Sequence, residues 1–260
     1  MRVINLTVNG LEDAAERGFF DWVAGKDADV IALQNICCRE WKIEDDPRFD
    51  LAGYERFFFE GEDEAWGGTC IYLRQMPKAV MRGLSNYDID KYGTLIQADY
   101  DLVSIASIWV PQGFDAPSLK VQHEMRETLK TIMSKVRRKR RLFIYAGNFQ
   151  IAHTEDDLTD PDQHGLTPGF RKTEQDWMDE LLFEIGYRDA LREVTSDSGY
   201  YSWWPSLEEL GGVGADPGAW RVDYQIVSES LGPKVLTASY YTERRFSDHA
   251  PLIVDYDIEL

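Results

Sequence analysis

The sequence predicts an α/β fold in which two packed sheets carry helices on their outer faces. Three observations lead there. Predicted strands outnumber helices, the strands arrive as hairpin-like neighbours, and the helices between them carry an apolar stripe at helical spacing. The 260 residues are 43% hydrophobic and 13% aromatic, with eight tryptophans, so the chain can bury a sizeable core. No linker, repeat or low-complexity tract interrupts it, and residues 1–260 read as one domain.

The elements follow in order. Arg2 to Val8 alternates as a first strand, Asn9-Gly10 turns, and Leu11 to Ala24 suits an amphipathic helix through Phe19, Phe20, Trp22 and Val23. Asp29 to Gln34 is a buried strand, and 54–59, 68–74 and the stretch from Lys78 to Val80 continue the strand pattern. Leu95 to Tyr100 and Val103 to Val110 pair around Asp101. Residues 118–139 make a long helix, with Leu119, Met125, Leu129, Ile132 and Val136 on one face. Leu142 to Tyr145 is a core strand ending at Gly147. Thr173 to Gly186 is a helix that Thr173 and Asp176 cap, and Trp220 to Val227 and Pro251 to Tyr256 are late strands.

Charge and cysteine content narrow the function classes. Lys plus Arg number 28 against 46 Asp plus Glu, a net charge of −18 that opposes unaided binding of a polyanion. One stripe breaks that rule: Lys135, Arg137, Arg138, Lys139, Arg140 and Arg141 end the long helix, either as a solvated terminus favoured by the helix dipole or as a phosphate-contacting patch. Cys37, Cys38 and Cys70 have neither disulfide nor zinc spacing and read as reduced thiols. No stretch approaches the ~18–20 apolar residues of a membrane span. The N-terminus lacks a signal peptide's apolar core, so the expected location is cytoplasmic. His123, His153 and His164 are scattered without ligand spacing, and the acidic cluster 155–162 reads as a solvated loop.

Polar residues gather at strand ends. Asn9 follows the first strand, Asn35 the second, Trp109 a middle one, and Asn148 and Gln150 the core strand; Asp223 lies in a late strand and Asp248-His249 precede the last. Such groups, converging on one edge of stacked sheets, make a pocket.

In that order the chain resembles the exonuclease III-like endonuclease/exonuclease/phosphatase superfamily. The strings that carry the resemblance are Val-Asn-Gly (8–10), Ile-Ala-Leu-Gln (31–34), Gly-Gly-Thr-Cys-Ile-Tyr (67–72), Val-Pro-Gln-Gly (110–113), Arg-Val-Asp-Tyr (221–224) and Ser-Asp-His-Ala-Pro-Leu (247–252). The resemblance implies a four-layered α/β sandwich and Mg²⁺-dependent phosphodiester cleavage. It also implies that Asn35 stands where a metal-holding Glu is expected, Asn148 for a catalytic Asp, Gln150 for an Asn, Trp109 for a Tyr and Thr7 for an Asn. Asn9, Asp223, Asp248 and His249 match the pattern.

A narrower similarity, to the catabolite repression control branch, rests on strings such as Ala-Ala-Glu-Arg-Gly (14–18), Gly-Tyr-Arg-Asp-Ala-Leu-Arg-Glu-Val (186–194) and Ser-Trp-Trp-Pro (202–205). It implies a protein without nuclease activity, metal or cofactor. Such a protein would act with the RNA chaperone Hfq on A-rich mRNA to repress translation of catabolic genes, binding RNA weakly alone, with self-association inside that complex left open. Loss of the general base alone costs ~10²–10⁴-fold, and the expectation is a vestigial pocket of Thr7, Asn9, Asn35, Trp109, Asn148, Gln150, Asp223, Asp248 and His249, with no metal. The alternatives are an exonuclease III-like or AP endonuclease activity on substituted ligands, using Asp223, Asp248 and His249, and a scaffold that senses a small phosphate ester. Trp203 and Trp204 read as packing residues more readily than as base-stacking ones.

Overall fold

Side-chain alternation along the strands decides which face of each sheet becomes core. The computed structural model describes residues 1–113, 115–137, 141–205 and 218–260. Among them the strands are β1 (Arg2–Thr7), β2 (Val30–Gln34), β3 (Glu55–Phe59), β4 (Thr69–Leu73), β5 (Ala79–Arg82), β6 (Leu95–Asp99), β7 (Val103–Trp109), β8 (Leu142–Asn148), β9 (Tyr187–Asp189), β10 (Asp223–Ser228), β11 (Val235–Tyr240) and β12 (Leu252–Tyr256). The helices are α1 (Leu11–Glu16), α2 (Phe19–Ala24), α3 (Glu40–Ile43), α4 (Tyr87–Asp90), α5 (Ala116–Val136) and α6 (Lys172–Asp179).

The strands form two six-stranded sheets, β11-β12-β1-β2-β4-β3 and β5-β6-β7-β8-β10-β9. Each has one parallel pair at its centre, β1 with β2 and β7 with β8, and antiparallel pairs outside it. A parallel pair needs a helical crossover. α1 and α2 supply it for the first sheet and α5 for the second.

Val3, Val30, Ala32, Ile71, Ile105, Ile144, Ala146 and Val254 fill the space between the sheets. Leu6, Ile31, Leu33 and Tyr72 pack outward under Phe19, Phe20 and Val23 of α2. Ile108, Phe143, Tyr145 and Ile226 pack outward under Met125, Leu129 and Met133 of α5 and Trp177 and Met178 of α6. The result is the expected four-layered sandwich, helix, sheet, sheet, helix. Fully burying each such aliphatic side chain stabilises the fold by roughly 1.5–3 kcal/mol.

Toward one end the inter-sheet layer turns polar. Gln225 Nε2 donates to Asn5 Oδ1 at 3.0 Å and to the Val3 carbonyl at 3.1 Å, and Tyr256 donates to Gln225 Oε1 at 2.7 Å. Gln34 Nε2 donates to Ser107 Oγ at 2.7 Å, and Ser107 Oγ donates to the Leu33 carbonyl at 2.9 Å. These bonds tie one sheet to the other where an apolar interface could slide.

Three expectations need correction. The helix expected over Leu11 to Ala24 is two helices, because Gly18 adopts φ 82 and turns the chain between them. The helix after residue 172 is capped by Glu174, whose Oε2 accepts from the backbone N–H groups of Gly169 and Arg171, and not by Thr173 with Asp176. It also ends at Asp179, and Glu180–Glu184 continue as a π-helical turn. The short strand β9 and the edge strand β11 escape the sequence pattern, since β11 alternates on a half-exposed edge with little apolar content.

Gly147, the last residue before Asn148, has φ 145, and a Cβ there would lie 1.9 Å from the Ile108 carbonyl oxygen. No side chain fits without parting β7 from β8. Gly147→Ala is expected to cost about 4 kcal/mol or more, in the range reserved for backbone collisions. Urea unfolding monitored by circular dichroism measures it, and a loss under about 1 kcal/mol would show that the strands can part cheaply.

Candidate active site

The polar end of the sandwich is built from rows of residues in register. Across the second sheet Trp109 lies beside Asn148, and Asn148 lies opposite Asp223. Across the first sheet Thr7 lies beside Gln34, which lies opposite Thr69. Directly opposed residues share a face, so period-2 alternation alone brings Thr7, Trp109, Asn148 and Asp223 to one mouth. Just beyond the strands, Asn9, Asn35 and Gln150 turn the chain with φ of 48, 51 and 55. Non-glycine residues with positive φ are uncommon and gather at functional sites.

Asp223 is the hub. It is fully buried; its Oδ1 accepts from Thr7 Oγ1 at 2.7 Å and its Oδ2 pairs with His249 Nδ1 at 2.7 Å. Ser202 Oγ accepts from the backbone N–H of Asp223 at 3.1 Å, and Tyr240 donates to its carbonyl at 2.5 Å. Burial alone would lower the His249 pKa, but the charge and hydrogen bond of Asp223, with Asp248 adding to them, raise it above the ordinary histidine value. The ring is therefore biased toward imidazolium. With Nδ1 held by Asp223, Nε2 is the nitrogen left for a ligand.

A second string of bonds runs beside the pair. The Gly67 N–H donates to Asn35 Oδ1 at 2.6 Å, Asn35 Nδ2 to Asn9 Oδ1 at 2.6 Å, and Asn9 Nδ2 to Asp248 Oδ1 at 2.5 Å. Trp203 Nε1 donates to Asp248 Oδ2 at 3.0 Å. Asn148 Oδ1 accepts from the Gln150 N–H at 2.8 Å, while its Nδ2 is buried with no partner among the described residues.

His249 lines a cavity of about 300 Å³ together with Gln150, His164, Trp203, Trp220 and Val222. The cavity mouth is mostly aromatic and apolar, with His249 as its cationic group. Its far wall is braced by a buried ion network. Arg221 donates to Asp157 through Nε at 2.7 Å and Nη2 at 3.1 Å, and to Asp189 through Nη1 at 2.6 Å. Arg192 adds a bond to Asp157 at 2.8 Å. Burial would push the Asp157 carboxyl up, but Arg221 and Arg192 overcome it and hold its pKa at about 2.

The structure thus brings together Thr7, Asn9, Asn35, Trp109, Asn148, Gln150, Asp223, Asp248 and His249 at one end of the sandwich. It leaves the basic run apart from them. Lys135 and Arg137 end α5, and Arg141 precedes β8, whose opposite end carries Asn148; seven strand residues separate the two by about 20 Å. Arg137 pairs with Glu229 at 3.5 Å, and Arg141 turns inward to the Tyr100 carbonyl. Arg138, Lys139 and Arg140 lie outside the described residues, as does most of the glycine-rich stretch 211–218. The acidic cluster 155–162 is not simply solvated, since Asp157 is fully buried under Arg221. His164, read from the sequence as a scattered histidine, and Trp220, read only as the start of a late strand, both line the cavity. Burial pushes the Cys37 and Cys38 thiols up to about 11, which suits unreactive thiols.

Two stacked mixed sheets with helices outside, and a buried His–Asp pair at one mouth, define an exonuclease III-like α/β sandwich. Residues 8–249 match the Endonuclease/Exonuclease/phosphatase family, and the chain belongs to it. It is 28% identical to an exodeoxyribonuclease of Bacillus subtilis over 97% of this chain and 98% of that one. It is 27% identical to a DNA-(apurinic or apyrimidinic site) endonuclease of Dictyostelium discoideum over 99% of this chain and 71% of that one. An AP endonuclease from Archaeoglobus fulgidus superimposes with a TM-score of 0.88 at 20% identity, covering 99% of this chain and 100% of that one.

These relatives overturn the expectation of a non-catalytic, Hfq-dependent translational repressor with a silent pocket. They are named as nucleases and match over nearly the whole chain. Physically, amides stand at 35 and 148, where the resemblance implies acids, and the His249–Asp223 pair is nonetheless formed, buried and facing a cavity.

The ion network yields a pH-dependent prediction. A carboxyl whose folded pKa is depressed adds stability that is present above its unfolded value, near 4, and is lost as pH falls through about 2. Asp157→Asn, which leaves Arg221 and Arg192 without their anion, should cost roughly 3–5 kcal/mol at pH 7. The gap between variant and native melting curves should narrow from pH 4 downward; a gap that stays constant to pH 2 would contradict the paired assignment.

Proposed function

We propose that the chain is a nucleic-acid phosphoester hydrolase of the exodeoxyribonuclease and AP endonuclease kind. The observation that carries this reading is the buried Asp223–His249 pair opening on a cavity floored by Trp203 and Trp220. A phosphate takes the Nε2–H of His249 as a charge-assisted donor, and the apolar floor takes the sugar or base beside it. Asp223 fixes the ring's orientation and keeps its proton, so charge developing on a phosphoryl oxygen meets a donor already in place.

Asn148 cannot accept a proton near neutral pH, and that sets the pace. The attacking water is oriented by amides and loses its proton to solvent or to the phosphate itself, so turnover is slow. The net charge of −18 works against docking along a long duplex and favours engagement at one end or lesion. The narrower similarity to the catabolite repression control branch stays a relationship between sequence strings, and no repressor role is drawn from it.

The assay is a labelled duplex carrying one abasic site, beside a second with a blunt 3′ end, each incubated with Mg²⁺ and with EDTA. Native protein should cleave at least one of them, and His249→Ala should slow it by about 10²-fold or more. Rising pH should lower the rate as His249 loses its proton, because its raised pKa places the active cation on the acid side. Intact substrates after prolonged incubation with native protein would sink the proposal.

A further inference from the structure

The family resemblance implies a divalent cation at Asn35, where a metal-holding Glu is expected, and the corner that Asn35 forms with Asn9 and Asp248 does not fit one. Mg²⁺ is held by hard oxygens with one or two carboxylates among them. Here the oxygens already serve as acceptors. Asn35 Oδ1 takes the Gly67 N–H at 2.6 Å and the Cys37 thiol at 3.4 Å. Asn9 Oδ1 accepts from Asn35 Nδ2, and Asp248 accepts from Asn9 and from Trp203, so Asp248 is the single carboxylate of this corner and its oxygens are already turned to neutral donors.

The direction of this string follows from its ends. A backbone N–H at Gly67 can only donate and the Asp248 carboxylate only accept, so each amide between them presents its oxygen to Gly67's side and its NH₂ to Asp248's. Asp223, the other carboxylate nearby, spends its oxygens on Thr7 and His249. No group of three His, Cys, Asp or Glu side chains able to hold a metal occurs among the described residues. Two buried side-chain atoms of these strand-end rows lack a partner among the described residues: Asn148 Nδ2, a donor that fits an anion's oxygen and opposes a cation, and Gln34 Oε1, a neutral acceptor that adds no carboxylate.

We infer that this pocket takes up phosphate without a divalent cation, the string from Gly67 through Asn35 and Asn9 to Asp248 occupying the metal's place with hydrogen bonds. His249 and Asn148 then supply the donors that a cation would otherwise replace. Phosphate uptake rests on the phosphoester reading of the pocket, whereas the lack of a cation site does not.

The experiment has two arms. In the first, Mn²⁺ alone is titrated into native protein and the free ion is followed by electron paramagnetic resonance. Native protein should show no saturable site at millimolar Mn²⁺, and Asn35→Glu, which adds a carboxylate to the corner, should tighten binding by at least about tenfold. Saturable binding to native protein that Asp248→Asn abolishes would overturn the inference, and this result can be read even where Asn35→Glu does not fold. In the second arm, inorganic phosphate is titrated while the His249 imidazole is followed by NMR. Equal affinity in EDTA and in Mg²⁺ supports the inference; binding that vanishes in EDTA overturns it. DNA cleavage strictly requiring Mg²⁺ would sink the inference and leave the proposed function standing. An absence of cleavage, with no Mn²⁺ site but metal-independent phosphate binding at His249, would sink the proposed function and leave the inference standing.

Discussion

A carboxylate sealed between two sheets must have both oxygens satisfied, and Asp223 makes the mouth of this molecule obey that demand. A buried charge left unpaired costs several kcal/mol, so Thr7 from the first sheet and His249 from the loop before β12 are drawn to it from opposite sides. Ser202 and Tyr240 then fix the backbone that carries it. The cavity walls inherit their positions from these bonds: Trp203 follows Ser202, Val222 precedes Asp223, and Trp220 and Arg221 lead into the same strand. Desolvation, which makes the carboxylate demanding, also makes the imidazolium beside it persistent.

How much of this could be read from the chain depends on whether a property is periodic or tertiary. Alternation along strands such as Val103–Trp109 and the helical spacing of Met125, Leu129 and Met133 disclose the two sheets and their outer helices. The same alternation carries Thr7, Asn148 and Asp223 to one end, which is why strand-end polar residues predicted the mouth. The string through Asn9 and Asn35 is another matter. Its direction is set by Gly67 and Asp248, which belong to loops distant in sequence. Nor can a sequence say which of the acids in 155–162 faces inward; Asp157 does because Arg221, buried from another loop, requires an anion. The helix over Leu11 to Ala24 failed for a local reason, a left-handed glycine that the apolar stripe overrode.

Counting lost acids misjudged the function because acids at this mouth serve different ends. Asn35 and Asn148 stand where metal binding and proton abstraction are implied, whereas Asp223 works by holding His249. The pair of Asp223 with His249 does not depend on either.

The backbone at Asn35 decides which side chain this corner accepts at least cost. At φ 51 the residue occupies the left-handed region, where asparagine is better tolerated than longer side chains. An acid such as glutamate entering there would meet a conformational penalty on the order of 1 kcal/mol before any cation repaid it, and would also abandon the bond to Asn9. Placing an acid there is thus uphill from both the backbone and the neighbouring amide. The left-handed turn favours the short amide at residue 35 over a longer acid.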